Sequence, residues 1–254
     1  MDVVHHRAAV ALEGGRVAAL APEALERAVP SCPGWTVARL VGHLGRVHTW
    51  AAGHLSGGPD AEGDVSTGDR PPEGDAILPW YRERLDLLLA ELDRHAPDAA
   101  ARTFVGTRTT AWWARRQAHE LAVHRWDAEH GVSPGGEHPI DAALAADGID
   151  EWFEVFVPRF LARREEPMPA DLVGATLHLH CTDDGLAAGT GEWLVRLTED
   201  GCEVERSHAK GDAALRGPAS DLLLAVWHRV PLGGLDVIGD AARAEAVLDL
   251  VHVS

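Results

Sequence analysis

The chain reads as two architectures in series: an all-α bundle of four helices, then a smaller α+β domain. Three observations carry that reading. Apolar residues in the first half recur at three-four spacing, the mark of half-buried helices. After about residue 170 the pattern changes to period-two alternation, as in 175–181, where Thr, Leu, His, Leu and His follow one another. A hairpin signal, Glu199-Asp200-Gly201, then separates two further strand-like runs. The domain boundary falls in 164–170, giving 1–166 for the bundle and 167–254 for the α+β domain.

The first helix spans 3–20, with Val4, Ala8, Ala11, Leu12 and Val17 on one side, although Gly14-Gly15 weakens it. A short helix follows over 22–28. Two prolines and Gly34 make 29–35 a rigid turn. Thr36 caps the second helix, whose stripe is Val37, Leu40, Val41, Leu44, Val47, Ala51 and Leu55. His43 sits beside this stripe. Gly42 and Gly45 flank it and leave room for another helix or a ligand. Residues 53–75 are rich in Gly, Pro, Asp and Ser without periodicity, and serve either as a lid or as a plain surface loop.

The third helix covers 76–95, burying Ile77, Tyr81, Leu85, Leu88, Leu89 and Leu92. Thr109 or Thr110 caps the fourth, which runs without Gly or Pro to His130. A turn-rich linker leads to a fifth helix over 140–163, with Leu144, Trp152, Phe156 and Phe160 inward. The second domain follows with strands at 175–181, 193–198, 202–207 and 213–216. A helix at 218–228, a strand at 235–238 and a last helix capped by Asp240 complete it.

The totals describe an ordinary soluble globular chain and exclude several function classes. Forty-six percent of the 254 residues are hydrophobic, enough for a core. Lys and Arg number 23 against 40 Asp and Glu, so the formal charge of -17 argues against nucleic acid and against anionic lipid. Three cysteines, Cys32, Cys181 and Cys202, form no Cys-x-x-Cys pair, so neither a disulfide framework nor a structural zinc site is expected. No apolar run approaches the roughly 20 residues that span a bilayer. No signal peptide is evident, and the expected location is the cytoplasm.

Chemistry concentrates in the fourth helix, in the run Arg115-Arg116-Gln117-Ala118-His119-Glu120-Leu121-Ala122-Val123-His124-Arg125-Trp126-Asp127. Glu120 and His124 are four apart, hence roughly 40° apart around the axis and one turn along it. A carboxylate and an imidazole so placed can grip one cation, with a third ligand from elsewhere; equally, such a pair can face solvent. His119-Glu120 is not the start of a zinc-peptidase motif. His119 and His124 would stand about 140° apart, leaving His119 a flanking role.

Cys32-Pro33-Gly34-Trp35-Thr36-Val37 with Leu40-Val41-Gly42-His43-Leu44, and then Trp113-Ala114-Arg115-Arg116-Gln117-Ala118-His119-Glu120 with His124-Arg125-Trp126-Asp127-Ala128-Glu129, resemble the mycothiol-dependent maleylpyruvate isomerase family. Arg216-Gly217-Pro218-Ala219-Ser220-Asp221-Leu222-Leu223-Leu224 resembles the same family's C-terminal domain. The resemblance implies a DinB-like metal-binding four-helix bundle followed by a sterol-carrier-like α+β domain. Carried over residue by residue, it implies metal ligands at His43, Glu120 and His124, usually for zinc. It implies mycothiol as cosubstrate and a small electrophile as partner, in a monomer or homodimer. Chemically, such a metal lowers the pKa of a bound thiol. The thiolate then serves a cis-trans isomerisation or a sulfur transfer. A metal hydrolase, an iron oxygenase and a non-enzymatic binding module remain the rival readings.

Arg116, one turn before Glu120, is a candidate to pair with that carboxylate or to hold a substrate carboxylate. The resemblance places a cationic side chain of the second domain at the site, and Arg229 is the candidate. Arg46, His48 and Asp127 lie within one turn of the proposed ligands, where ordinary bundle ion pairs account for them as well. Trp35, Trp112, Trp113 and Trp126 read as packing residues, and Cys32 as structural. His178 and His180 share one strand face and read as exposed polar residues.

Overall fold

The computed structural model describes residues 1–60 and 65–251. It divides into two compact units, Met1–His138 and Pro139–Ser254. The expected division at 166/167 therefore falls inside the second unit. The reason is packing: the fifth helix buries Leu144 and Ile149 and lies against a helix of the C-terminal sheet domain, to which Ile140 N also bonds through Ser220 Oγ at 3.0 Å.

The first unit is a four-helix bundle: α1 (Val3–Ala18), α2 (Val37–Gly57), α3 (Ile77–Arg94) and α4 (Thr110–Val132). Helix α1 packs on α3 and α4, and α2 packs on the same two. Thr36 caps α2 by accepting from Arg39 N at 3.2 Å, and Thr109 caps α4 by accepting from Trp112 N at 3.3 Å. Val37, Leu40, Val41, Leu44, Ala51 and Leu55 are buried as their spacing predicts. Gly45 makes room for a side chain of α3, because a Cβ there would collide with the Trp80 ring.

Helix α1 departs from expectation. Val4 and Leu12 are 69% and 55% exposed, whereas His6, Val10, Glu13, Gly14 and Val17 are buried. An ion pair explains the turn of the helix. Arg125 of α4, itself buried, donates through Nε to Glu13 Oε2 at 2.5 Å, so the inward face of α1 carries a carboxylate. A second departure is a hairpin before α4, β1 (Ala100–Thr103) with β2 (Gly106–Thr109), which no alternation had announced. Trp113 Nε1 donates to Arg102 O at 3.0 Å and fastens it.

In the loop expected over 53–75, residues 53–57 belong to α2, and residues 61–64 lie outside the described residues. The short 3-10 turn Gly74–Ala76 leads into α3.

The second unit begins with α5 (Ala142–Glu151), a π-helical stretch Trp152–Phe156 and α6 (Val157–Leu161), so the single helix expected over 140–163 is interrupted. Pro158 lacks the backbone N–H an ordinary helix would use there. A five-stranded sheet follows, in the order β5-β4-β3-β6-β7. Its strands are β3 (Thr176–Cys181), β4 (Glu192–Thr198), β5 (Gly201–Glu205), β6 (Ala213–Gly217) and β7 (Asp236–Gly239). Only β3 and β6 run parallel. Helix α7 (Ala219–Val226) packs on β3 and β6, and α8 (Ala241–Leu248), capped by Asp240, packs on β6. Leu177, Leu179, Trp193, Val195 and Leu215 form the sheet's share of this core. His178 and His180 are not the exposed residues their alternation predicted: His178 is 6% exposed and His180 half-buried.

Candidate metal centre

Helices α2 and α4 pack side by side and bring His43 to the Glu120/His124 face of α4. His43 Nε2 lies 3.1 Å from Glu120 Oε1, and His124 Nε2 lies 3.5 Å from the same oxygen. The two imidazole centroids are 5.2 Å apart and nearly perpendicular, at 77°. One ligand atom from each of the three residues falls within 4.8 Å of the others. A single ion can be shared over such distances, and two imidazoles with one carboxylate are a donor set zinc accepts with positions to spare.

Two of the three, His124 and Glu120, are each held by a neighbour outside the cluster. His124 Nδ1 is 2.9 Å from Asp127 Oδ2, and Asp127 is fully buried. That contact keeps a proton on Nδ1, so the proton that leaves when a cation binds is the one on Nε2, the atom that faces the site, as with a carboxylate behind a metal-bound histidine. Asp127 is in turn held by Ser31 Oγ, donating to Oδ1 at 2.6 Å, and by the Cys32 thiol, 3.6 Å from Oδ2. The rigid turn before α2 thus supports the site through Asp127. On the other side Arg116 Nη2 donates to Glu120 Oε2 at 3.0 Å, leaving Oε1 for the two histidines.

The charges balance at the centre. Burial alone would raise the Glu120 carboxyl, but hydrogen bonds from His124 and His43 and the nearby Arg116 hold it well below the usual range. Burial opposes charge on His124, yet the contacts with Asp127, Cys32 and Glu120 hold its pKa well above that of a free histidine. A cation bound at this imidazole releases a proton.

Trp35 stands over the pair, its ring centroid 5.2 Å from His43 and 6.5 Å from His124, and stacks on the latter at 17°. It was expected to be packing alone; half-buried, it also forms the rim of a cavity of about 880 Å³ whose wall includes His43. That volume is within the range of small-molecule sites. Arg39, Arg46 and Arg70 line the same cavity, with Arg39 seated over Trp35 at 5.0 Å. Thr67 and residues 70–74 line the cavity too, so part of the Gly- and Pro-rich loop forms one of its walls. Arg46 donates to Thr67 Oγ1 and ties that loop to α2.

Other expected neighbours take different places. His48 is buried away from the cavity, against Gln117 Oε1 at 3.0 Å and the Tyr81 hydroxyl at 3.4 Å. His119 is buried and meets His6 edge-on at 5.8 Å. Arg229 belongs to the second unit, where its Nη1 donates to Trp227 O at 2.8 Å.

Comparison with known proteins agrees with this arrangement on both sides of the division. No curated protein sequence matches the chain. A crystal structure of the mycothiol-dependent maleylpyruvate isomerase superposes with a TM-score of 0.62, and one of a mutant of that enzyme with 0.63. Each is 10% identical to this chain, and each alignment covers 93% of both partners, so the fold is shared from end to end. Residues 6–129 match the family model described as the mycothiol maleylpyruvate isomerase N-terminal domain, and residues 143–246 match the corresponding C-terminal domain model. The bundle that carries the histidine-carboxylate cluster and the sheet domain after it are thus the two parts of one known arrangement, and the chain belongs to the mycothiol-dependent maleylpyruvate isomerase family.

Proposed function

We propose that the protein is a metal-dependent enzyme that uses a low-molecular-weight thiol of the mycothiol type on a small electrophile. The reaction is a maleylpyruvate-type cis-trans isomerisation or a thiol S-transfer. The observation that carries this reading is the convergence of His43, Glu120 and His124 with a buried carboxylate, Asp127, behind one of the imidazoles. His43, Glu120 and His124 would hold a divalent ion such as zinc, which would supply the Lewis acidity that lowers the pKa of a thiol.

The remaining work belongs to the chain. Asp127 fixes the tautomer and direction of His124. Arg116 holds Glu120 through Oε2 and is a positioning residue, so the role of receiving a substrate carboxylate passes to Arg39, Arg46 and Arg70 on the cavity wall. Their guanidinium groups suit an anionic electrophile with planar carboxylates. Trp35 and the loop residues that line the cavity displace water from the wall beside His43.

The test is turnover of maleylpyruvate by tag-free protein stripped of metal and reloaded with zinc, with and without mycothiol. The reading expects turnover only when both are present, and its loss in Glu120→Gln together with the bound ion. Consumption of thiol by other electrophiles, with maleylpyruvate untouched, assigns the S-transferase branch. Turnover with water alone, indifferent to thiol, contradicts the proposal and favours a hydrolase. Arg229→Ala belongs in the same assay; the family resemblance expects a lower kcat with metal content unchanged.

A further inference from the structure

The second unit contains a group of metal-ligating side chains that the reading above does not use. His178 and His180 are two apart on β3 and so project from the same face. Glu192 on β4 stands directly opposite His180 in the antiparallel register. His208 arrives from the segment that links β5 to β6. All three imidazoles meet one carboxylate oxygen, Glu192 Oε2. His178 Nε2 is 3.2 Å from it, His180 Nδ1 3.3 Å and His208 Nδ1 2.6 Å. The ring centroids form a nearly equilateral triangle, 5.8, 5.6 and 5.5 Å on its sides, with the planes close to perpendicular. One ligand atom from each of the four residues lies within 4.8 Å of every other.

We infer that His178, His180, Glu192 and His208 form a second binding site for a divalent transition-metal ion, separate in sequence and in unit from the first. Three imidazole nitrogens and one carboxylate oxygen make a closed four-coordinate set, the number and type that zinc takes in tetrahedral sites. Nitrogen donors on this scale favour zinc, copper, nickel or iron over calcium or magnesium, which prefer oxygen. Three imidazoles gain little by crowding around one carboxylate oxygen, whereas a shared cation would account for the convergence. The site is also graded from inside to outside. His178 is buried, His180 and Glu192 are half-buried, and the His208 side chain is 77% exposed. An ion can therefore enter from solvent and be closed in by the last ligand. Three ligands come from two adjacent strands, His178 and His180 from β3 and Glu192 from β4, and the fourth from the connection between β5 and β6, so the ion would clip that connection to the sheet. With four protein ligands and no open position, its role is structural or regulatory rather than that of a second reaction centre.

The experiment is zinc stoichiometry on full-length, tag-free protein, stripped with chelator and dialysed against a zinc buffer at submicromolar free ion. The background is Glu120→Gln, in which the first site is disabled. The inference expects one equivalent to remain there, and to be lost when His208→Gln or His178→Gln is added. Cobalt as the probe is expected to give the intense visible bands of a four-coordinate ion in Glu120→Gln, and to lose them with His208→Gln. His208 lies on an exposed connection, so that variant keeps its fold and loss of the ion reports on ligation. No equivalent retained in Glu120→Gln, or one that survives both histidine substitutions, overturns the inference. The two proposals separate cleanly: an ion lost only with His208→Gln speaks for this site and against the first, and one lost only with Glu120→Gln does the reverse.

Discussion

At the scale of the single residue, Asp127 decides more than its place in the sequence announces. Four residues separate Glu120 and His124, and that spacing alone puts them on one helical face; this much is legible from the chain. His43 as their partner was a matter of family likeness, because nothing in the local sequence reports which helix packs against which. The partners of Asp127 were out of reach for the same reason. Ser31 and Cys32 lie 96 and 95 residues away, and only the fold closes that distance. Replacing Asp127 with Ala removes the buried acceptor that orients His124. Zinc affinity is then expected to fall about 10–100-fold with helix content retained, measured by competition with a chromophoric chelator. Unchanged affinity would mean that His124 needs no orienting partner.

At the scale of the element, the helices followed their apolar periodicity where burial is apolar and departed from it where burial is ionic. Helix α2 buries the stripe its spacing marks out. Helix α1 turns Glu13 inward instead of Leu12, because Arg125 of α4 waits there with its guanidinium buried. Removing Glu13 takes a carboxylate from a buried guanidinium whose Nη1 also meets Glu129, and part of a desolvated charge is left behind. Glu13→Gln is therefore expected to cost about 3 kcal/mol in urea unfolding, with Glu13→Leu combined with Arg125→Met costing less. Equal losses in the two would show that the cost does not come from a stranded charge. Between α2 and α3, His48 is fully buried, and burial pushes its pKa down to about 4 from 6.5 in spite of the Gln117 contact. The unfolded chain takes up a proton below pH 6.5 that the folded chain refuses until about pH 4. Stability is thus complete above pH 6.5 and is lost as the pH falls through that window, by about 2 kcal/mol at pH 5. His48→Gln is expected to flatten this part of the profile, read as urea midpoints at pH 7 and pH 5; an unchanged slope would place the dependence elsewhere. The short strands show the limit of pattern reading. The hairpin before α4 is four residues a side and carries no alternation strong enough to announce it, and the period-two signal of β3 fixed neither its neighbours nor the depth of His178.

At the scale of the whole molecule, a bundle followed by an α+β domain could be read from the change of period alone, but the point of division could not. Residues 142–161 look like one more bundle helix, yet they pack within the second unit, and helical periodicity does not say which core a helix joins. The family models draw the same line, ending one domain at residue 129 and beginning the next at 143. Among the described residues no helix is long and apolar enough to cross a membrane. The account as a whole stands on one ion in the first unit. The most direct measurement is anomalous diffraction at the zinc edge from crystals of tag-free protein loaded with zinc. The account predicts a peak bonded to His43 Nε2, His124 Nε2 and a Glu120 oxygen at about 2.0–2.2 Å. A featureless map at that position, with the His43 ring turned away from Glu120 and His124 in a zinc-saturated crystal, would contradict it.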